Sequence, residues 1–119
     1  MSRHVLSSEK LSPEVAAYIA SYHQKTVSEV ANTVAANKIV VVGMGLNPYV
    51  KKARAALTEA SVDFKYLEYG NYFSMWQPRL AIKMWSGWPT FPQVFVEGKL
   101  IGGYEETLVA LKTGAITRR

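Results

Sequence analysis

The stretch Trp88-Pro-Thr-Phe-Pro-Gln-Val-Phe-Val-Glu-Gly-Lys-Leu-Ile-Gly-Gly103 carries the clearest structural signal in this chain. Within it, Gln93–Val96 and Lys99–Ile101 are two short runs of β-forming residues, and Glu97-Gly98 between them is a turn signal. This pattern predicts an antiparallel hairpin. The glycine pair at its end breaks the second strand, and we predict a last helix over Tyr104–Lys112.

Two further strands are predicted upstream of the hairpin. Lys38–Val42 is a β-branched run without polar alternation, which is typical of a buried strand, whereas Val62–Glu68 alternates. The segment between them is rich in Ala, Lys and Leu and predicts a helix over Tyr49–Ala60. Strands joined through a helix are expected to be parallel, with a right-handed crossover.

Three more helices complete the pattern. Ser12-Pro13-Glu14 is a helix start, and apolar residues follow at helical spacing as far as Tyr22. A second helix is predicted over Thr26–Ala36, and a third from Pro78 to Ser86, after an irregular aromatic loop. The order α-α-β-α-β-α-β-β-α predicts an α/β fold, a mixed four-stranded sheet with helices on both faces, plus an extra N-terminal helix. We assign residues 1–25 to a helical extension and residues 26–119 to the main domain.

Composition excludes several kinds of site. The chain has 119 residues, 49% hydrophobic and 19% charged, which is typical of one folded soluble domain. It contains no cysteine, so disulfides, thiolate nucleophiles and cysteine-ligated zinc or iron–sulfur clusters are excluded. The only histidines are His4 and His23, and the only aspartate is Asp63, so we expect no metal site.

Charge and hydropathy indicate little about partners. The net charge is +5, with small basic groups at Lys51/Lys52/Arg54 and Arg118/Arg119. A nucleic-acid surface is one interpretation of these groups, and we favour a solvated helix face and tail. No apolar run approaches the roughly 20 residues of a membrane span, and the first ten residues lack a signal-peptide core. We therefore expect a cytoplasmic protein with no membrane contact.

Three motifs together resemble the glutaredoxins: Val40–Lys52, Trp88–Val96 and Gly98–Gly103, within a matching region that covers about two thirds of the chain. Trp88-Pro89 and the stretch Arg79–Ser86 resemble the monothiol branch, whereas Pro48-Tyr49 resembles the dithiol branch. The resemblance implies a thioredoxin-like (glutaredoxin) fold for residues 26–119 and links the family to cell redox homeostasis.

The departures from the family pattern concern its redox centre. The resemblance places the nucleophilic cysteine at Asn47, the resolving cysteine at Val50, and a loop cation at Met44. Neither Asn nor Val can form a mixed disulfide, so thiol–disulfide exchange by the chain itself is excluded. Monothiol relatives bridge a [2Fe–2S] cluster with the same cysteine, so we expect none here. Asn47 before Pro48 is better interpreted as a helix N-cap than as a catalytic residue.

The resemblance also implies a groove for glutathione. In it Pro92 follows a cis bond, Phe91 pairs through its main chain with the γ-glutamyl part, and Arg79 contacts the glycine carboxylate. The helix N-terminus at Tyr104 favours a carboxylate, Glu105 can hold an ammonium, and the large Tyr104 side chain is expected to narrow the groove. The predicted groove residues are Tyr49, Arg79, Thr90, Phe91, Pro92, Gly103, Tyr104 and Glu105. The alternatives are that Pro92 and the glycines serve only the fold, and that Arg79 is a solvated charge.

These observations leave several functions open. We expect a redox-inactive module that binds glutathione or a protein partner and requires no cofactor. The alternatives are an enzyme that uses the thiol of bound glutathione, and a structural subunit. An aromatic cluster is interpreted either as core or as an interface, and the apolar stripe of the N-terminal helix packs on its own domain or on a second copy in a homodimer. The members of this cluster are Tyr66, Tyr69, Tyr72, Phe73, Trp76, Trp85 and Trp88.

Overall fold

The computed structural model describes residues 6–117 of the chain, which contain five α-helices and four strands. His4 and the basic pair Arg118/Arg119 lie outside the described residues. A short 3-10 turn at Ser8–Lys10 comes first. The elements are then α1 (Pro13–Ser21), α2 (Gln24–Ala36), β1 (Ile39–Gly43), α3 (Pro48–Glu59), β2 (Lys65–Glu68), α4 (Trp76–Ser86), β3 (Gln93–Val96), β4 (Lys99–Gly102) and α5 (Tyr104–Thr113).

The four strands form one mixed sheet in the order β2-β1-β3-β4. β1 runs parallel to β2 and antiparallel to β3, with Val41 opposite both Tyr66 and Val94. β3 and β4 form the antiparallel hairpin, with Phe95 opposite Leu100. The predicted thioredoxin-like sheet is therefore confirmed, including the parallel pair and the hairpin.

The core lies on both faces of this sheet, because every residue of the central strand β1 is buried. Val40 and Val42 belong to one apolar cluster with Val30 of α2 and Ile82 of α4. The alternate residues Ile39 and Val41 belong to a second cluster, with Leu57 of α3 and Ala110 of α5. Helices on both faces follow directly from a strand without polar alternation.

Most element boundaries lie within one residue of the sequence predictions, whereas the starts of α2, β2 and α4 differ by two or three residues. β2 begins at Lys65 instead of Val62, because the Val62 N–H donates to the Leu57 carbonyl and its side chain packs into the core. α4 begins at Trp76, two residues before Pro78. A proline at the third helical position is tolerated, because the first four helix N–H groups have no intrahelical acceptor.

The N-terminal helix α1 begins as predicted, since the Ser12 hydroxyl accepts a hydrogen bond from the Val15 N–H at 3.2 Å and Pro13 follows it. None of its residues is buried. His23, in the left-handed region at φ 46°, separates α1 from α2. Among the helices described between residues 6 and 117, none has the length and apolarity that a bilayer crossing needs.

Candidate functional site

A groove of about 640 Å³ lies where the N-termini of α3 and α5 meet the segment before β3. The residues that line it come from distant parts of the chain. They are Met44, Asn47, Tyr49, Tyr72, Lys83, Trp88, Pro89, Thr90, Phe91, Pro92, Gly103, Tyr104, Glu105 and Glu106. All the predicted groove residues are present except Arg79, and Asn47 lies beside them.

Asn47 caps helix α3 at the edge of the groove. Its side-chain Oδ1 accepts hydrogen bonds from the Tyr49 N–H at 2.9 Å and the Val50 N–H at 3.1 Å. These amides belong to the positive end of the helix dipole, where an oxygen acceptor is stabilised. The position therefore offers the groove a neutral carboxamide whose oxygen is already occupied.

Val50 and Met44 are both core residues. Val50 is 2% exposed and is not among the groove residues. It packs so closely on β1 that a β-carbon added at Gly43 would lie 2.6 Å from one of its methyl groups. Met44 also belongs to the apolar cluster but reaches the groove wall, where it presents a thioether and no charge.

The floor of the groove is the segment before β3. The Phe91–Pro92 peptide bond is cis, and the Phe91 side chain is buried in the core. The Phe91 N–H and C=O make no hydrogen bond with any residue between 6 and 117. Because this residue also lines the groove, one backbone donor and one acceptor are available to a ligand.

The N-terminus of α5 forms one end of the groove. The Gly103 N–H donates to the Glu106 carboxylate at 2.9 Å, whereas the N–H groups of Tyr104 and Glu105 have no partner among the described residues. A β-carbon at Gly103 would lie 3.3 Å from the Pro92 carbonyl, so glycine keeps this end open. The free amides suit a carboxylate, and the exposed Glu105 side chain suits an ammonium.

Arg79 is not a groove residue, contrary to the sequence prediction. It is 7% exposed, and its Nη1 donates to the carbonyls of Tyr69 at 3.0 Å and Ser74 at 2.5 Å. The interpretation as a solvated charge is equally wrong. Its role in the structure is to hold the loop between β2 and α4 through buried, charge-assisted hydrogen bonds.

Lys83 supplies the cation that Arg79 does not. It follows Arg79 by four residues on α4, so the two side chains lie on the same helix face. Lys83 lines the groove, with its ammonium 5.5 Å from the centre of the Phe91 ring. The groove therefore has a cation on Lys83 and, at the N-terminus of α5, acidic residues with free amides.

Tyr104 lies at the groove wall and does not fill it. Its ring centre is 6.3 Å from that of Tyr49, and the two tilted rings form one side of the opening. Trp88 lies on the same groove, and its indole N–H is buried without a partner among the described residues. The Trp88 carbonyl is held by the Gln93 side-chain amide at 3.0 Å.

The family follows from comparison with known proteins. The Glutaredoxin family model matches residues 48–101. A "Glutaredoxin-like protein" of Dictyostelium discoideum is 47% identical over 115 residues, which are 97% of this chain and 92% of that protein. This chain belongs to the glutaredoxin family.

Other similar glutaredoxins share less of the sequence. An uncharacterized monothiol glutaredoxin of Caenorhabditis elegans is 28% identical over 89 residues, 74% of this chain and 61% of that protein. The solved buckwheat glutaredoxin–glutathione complex is 20% identical and superposes with a TM-score of 0.67, covering 79% of this chain and 86% of that chain. The chain is thus a glutaredoxin-like protein without cysteine.

Several groove residues of this glutaredoxin-like chain were missed by the sequence prediction: Tyr72, Lys83, Trp88, Pro89 and Glu106. Trp88 and Pro89 stand directly before Thr90 in the decisive stretch, and Lys83 lies one turn after Arg79, so those signals were present. Tyr72 lies in an irregular loop, and no periodicity indicates its position. Among residues 6–117, no group of three or more His, Asp or Glu residues could hold a metal ion.

The aromatic cluster divides into core and surface. Tyr69 is 6% exposed, and its hydroxyl donates a hydrogen bond to the Glu29 carboxylate of α2. Burial, and then this hydrogen bond, raise the pKa of the Tyr69 phenol above its ordinary 10.0. Phe73 of the loop and Trp76, the first residue of α4, are by contrast 88% and 61% exposed, so this part of the cluster is apolar surface.

Proposed function

We propose that this chain is a redox-inactive glutaredoxin-like module that binds glutathione in the groove. The observation that carries the proposal is the contrast at Asn47. There a helix-capping carboxamide stands where the family has its thiol, while the groove beside it keeps its unpaired backbone groups and both kinds of charge. The groove can therefore bind glutathione without a thiol on the protein.

The groove fits the γ-glutamyl end of glutathione. This end carries an α-carboxylate and an α-ammonium, and the N-terminus of α5 offers the free amides of Tyr104 and Glu105 together with the Glu105 carboxylate. The Phe91 N–H and C=O can pair with the peptide backbone of the ligand. Each of these groups is placed by the fold, so binding does not require them to reorganise.

The glycine carboxylate of glutathione is matched by Lys83, which also lines the groove. An ammonium pairs with a carboxylate as a point charge, without the two-pronged geometry of arginine. The contact is open to solvent, and the family cation at Met44 is missing. We therefore expect weak binding, with a dissociation constant of about 1 mM, or roughly 4 kcal/mol.

Redox inactivity follows from the residue types. Transfer of a glutathionyl group needs a thiolate on the protein, and the chain has none. A bridging [2Fe–2S] cluster does not fit either, because the carboxamide at position 47 is a poor iron ligand and its oxygen is already bound to two amides. No cofactor is therefore required for the proposed role.

The alternative is an enzyme in which bound glutathione supplies the thiol. Such an enzyme needs a charge or a strong donor beside the sulfur to lower the pKa of that thiol. Next to Asn47 the wall is Met44, which is apolar and buried. The geometry therefore favours a binding module over an enzyme.

The proposal is tested by titrating the ¹⁵N-labelled chain with glutathione and following the amide resonances. We expect saturable shifts at Phe91, Gly103, Tyr104 and Glu105. Lys83→Met should weaken binding by about three- to fivefold, as expected for one solvent-exposed ion pair of about 0.7–1 kcal/mol. Lys112→Met, which removes an exposed cation outside the groove, should leave it unchanged. Shifts that are absent, or scattered away from the groove, would refute the proposal.

A further inference from the structure

The exposed sides of α1 and α4 form a continuous apolar surface, which we call the α1–α4 face. Its members come from α1 and α4 and carry no formal charge. They are Val15, Tyr18, Ile19, Trp76, Leu80, Met84 and Trp85. Clefts of about 230 and 270 Å³ between the two helices are lined by several of these residues, so the two stripes adjoin.

The size of the face exceeds what a monomer ordinarily exposes. Tyr18, Trp76 and Trp85 are 65%, 61% and 42% exposed. At about 150–250 Å² for each aromatic side chain, they alone expose on the order of 250–400 Å². With the four aliphatic members, the face approaches the roughly 800 Å² that each partner buries in a specific interface.

Within residues 6–117, helix α1 shows that the face lacks a cover. It has nine residues, fewer than an isolated helix needs to be stable in water, and none of its residues is buried. The clefts that separate it from α4 show that its own domain covers it only in part. A partner that buries the stripe of α1 would therefore stabilise the helix as well as the contact.

We propose that the partner is a second copy of this chain, and that the α1–α4 face is a homodimer interface. The stripe Val15–Tyr22, which runs from α1 to the residue that follows it, and the stripe Trp76–Met84 of α4 are about 10 and 12 Å long at 1.5 Å per residue. In a twofold interface the same patch of both copies meets, so the α1–α4 face of one copy packs against the α1–α4 face of the other. No residue of the face is charged, so the net charge of +5 places no like-charged pair among its members.

The proposal does not depend on glutathione binding, because the face and the groove are formed by different side chains. Lys83 and Tyr72 line the groove, and neither belongs to the face. The face contains no cation that would attract nucleic acid, and its area approaches what each partner buries in a specific interface. A groove that binds glutathione and a face that pairs two chains can therefore operate independently.

Sedimentation of the full chain from low to high micromolar concentration tests the interface. We expect the wild-type mass to rise from one chain to two, and Trp76→Glu and Tyr18→Glu each to raise the dissociation constant by at least about tenfold. Val109→Glu is the matched control, since Val109 is 60% exposed on α5, outside the face. Far-UV circular dichroism checks that all variants are folded.

A wild-type chain that remains monomeric over this range would overturn the proposal and leave the face to a different protein. Variants that dimerise as well as the wild type would overturn it too, because the contact would then lie elsewhere. Loss of dimer in Val109→Glu to the same extent would likewise contradict the assignment of the face.

Discussion

Asn47 removes the nucleophile from the site but preserves the start of helix α3. An asparagine and a thiolate both place an acceptor over the first amides of a helix, and the Asn47 oxygen lies 2.9 Å from the Tyr49 nitrogen. The helix therefore begins in the same way whether or not the nucleophile is present. The fold around position 47 does not depend on a thiol, so the groove can be present without a cysteine at this position.

Substitution of Asn47 separates its capping role from any other. Asn47→Ala removes the acceptor for two amides and should lower the free energy of unfolding by about 1 kcal/mol. Asn47→Asp, which keeps an oxygen acceptor, should retain the stability of the wild type. Urea denaturation measures both. Equal stability of the alanine and aspartate variants would show that the cap contributes nothing.

Asn47→Cys tests how much of a thiol site survives. The helix dipole contributes about 0.3–1 kcal/mol, so the cysteine pKa should fall by less than one unit from about 8.5. Turnover of a glutathione mixed disulfide, absent in the wild type, should be weak in Asn47→Cys and stronger in Asn47→Cys with Met44→Lys.

The pH dependence of alkylation by iodoacetamide measures the cysteine pKa in both variants. An Asn47→Cys chain with the full activity of an ordinary glutaredoxin would contradict the inference that several groups of the site are lost.

At the scale of one helix, α4 carries two cations one turn apart, Arg79 and Lys83, and we expect them to have different roles. Arg79→Met should destabilise the chain by about 2–3 kcal/mol, because two carbonyls lose a charged donor, and should leave groove contacts in place. Lys83→Met should keep the stability and lose glutathione affinity. Urea denaturation and titration of both variants give the comparison. The reverse pattern would restore Arg79 as a ligand-binding residue.

The contact between α2 and the loop after β2 has a pH dependence. The folded pKa of Tyr69 is raised above 10.0 by burial and the hydrogen bond to Glu29. Its contribution to stability is therefore complete below pH 10 and is lost as the pH rises further, because the unfolded chain deprotonates first. Tyr66 has a pKa raised mainly by burial and then by Glu68, and it adds to the same decline.

Tyr69→Phe should flatten this alkaline decline by at most about 1.4 kcal/mol per pH unit. Thermal unfolding measured between pH 8 and pH 11 on both chains would show it. Parallel curves for the two proteins would mean that Tyr69 titrates as it does in the unfolded chain.

Local signals predicted the elements best. The caps at Ser12 and Asn47 and the turn at Glu97-Gly98 act within a few residues, and the structure has them where the sequence places them. The start of α4 was misplaced, because a proline indicates the first helical position but is equally tolerated at the third.

The site residues that lie in recognisable sequence motifs were predicted. The site residues that only the tertiary structure brings together were missed. Phe91 and Gly103 lie in the motifs that carry the resemblance to the family, so the resemblance was sufficient to find them. The burial of Arg79 depends on the carbonyls of Tyr69 and Ser74, which only the folded loop brings together. No local pattern contains that information, and the same holds for Tyr72.

At the scale of the whole molecule, the chain has a glutaredoxin fold without cysteine, and we propose that its groove binds a ligand without thiol chemistry. The proposed ligand contacts come from the segment before β3, from α4 and from α5, and none of them requires a protein thiol or the thiol of glutathione. If binding is the function, the sulfur of the ligand should contribute little to affinity. An enzyme that uses the glutathione thiol would instead gain from stabilising its ionised form.

The most direct measurement is the ratio of two dissociation constants, for glutathione and for its thiol-free analogue with 2-aminobutyrate in place of cysteine. Titration of the same labelled chain at pH 7, with the amides of Gly103 and Tyr104 as reporters, gives both values. We predict a ratio within about twofold, since a difference below 0.5 kcal/mol is what an unused sulfur contributes. A preference for glutathione of tenfold or more would contradict the account, because the thiol would then take part in what the groove does.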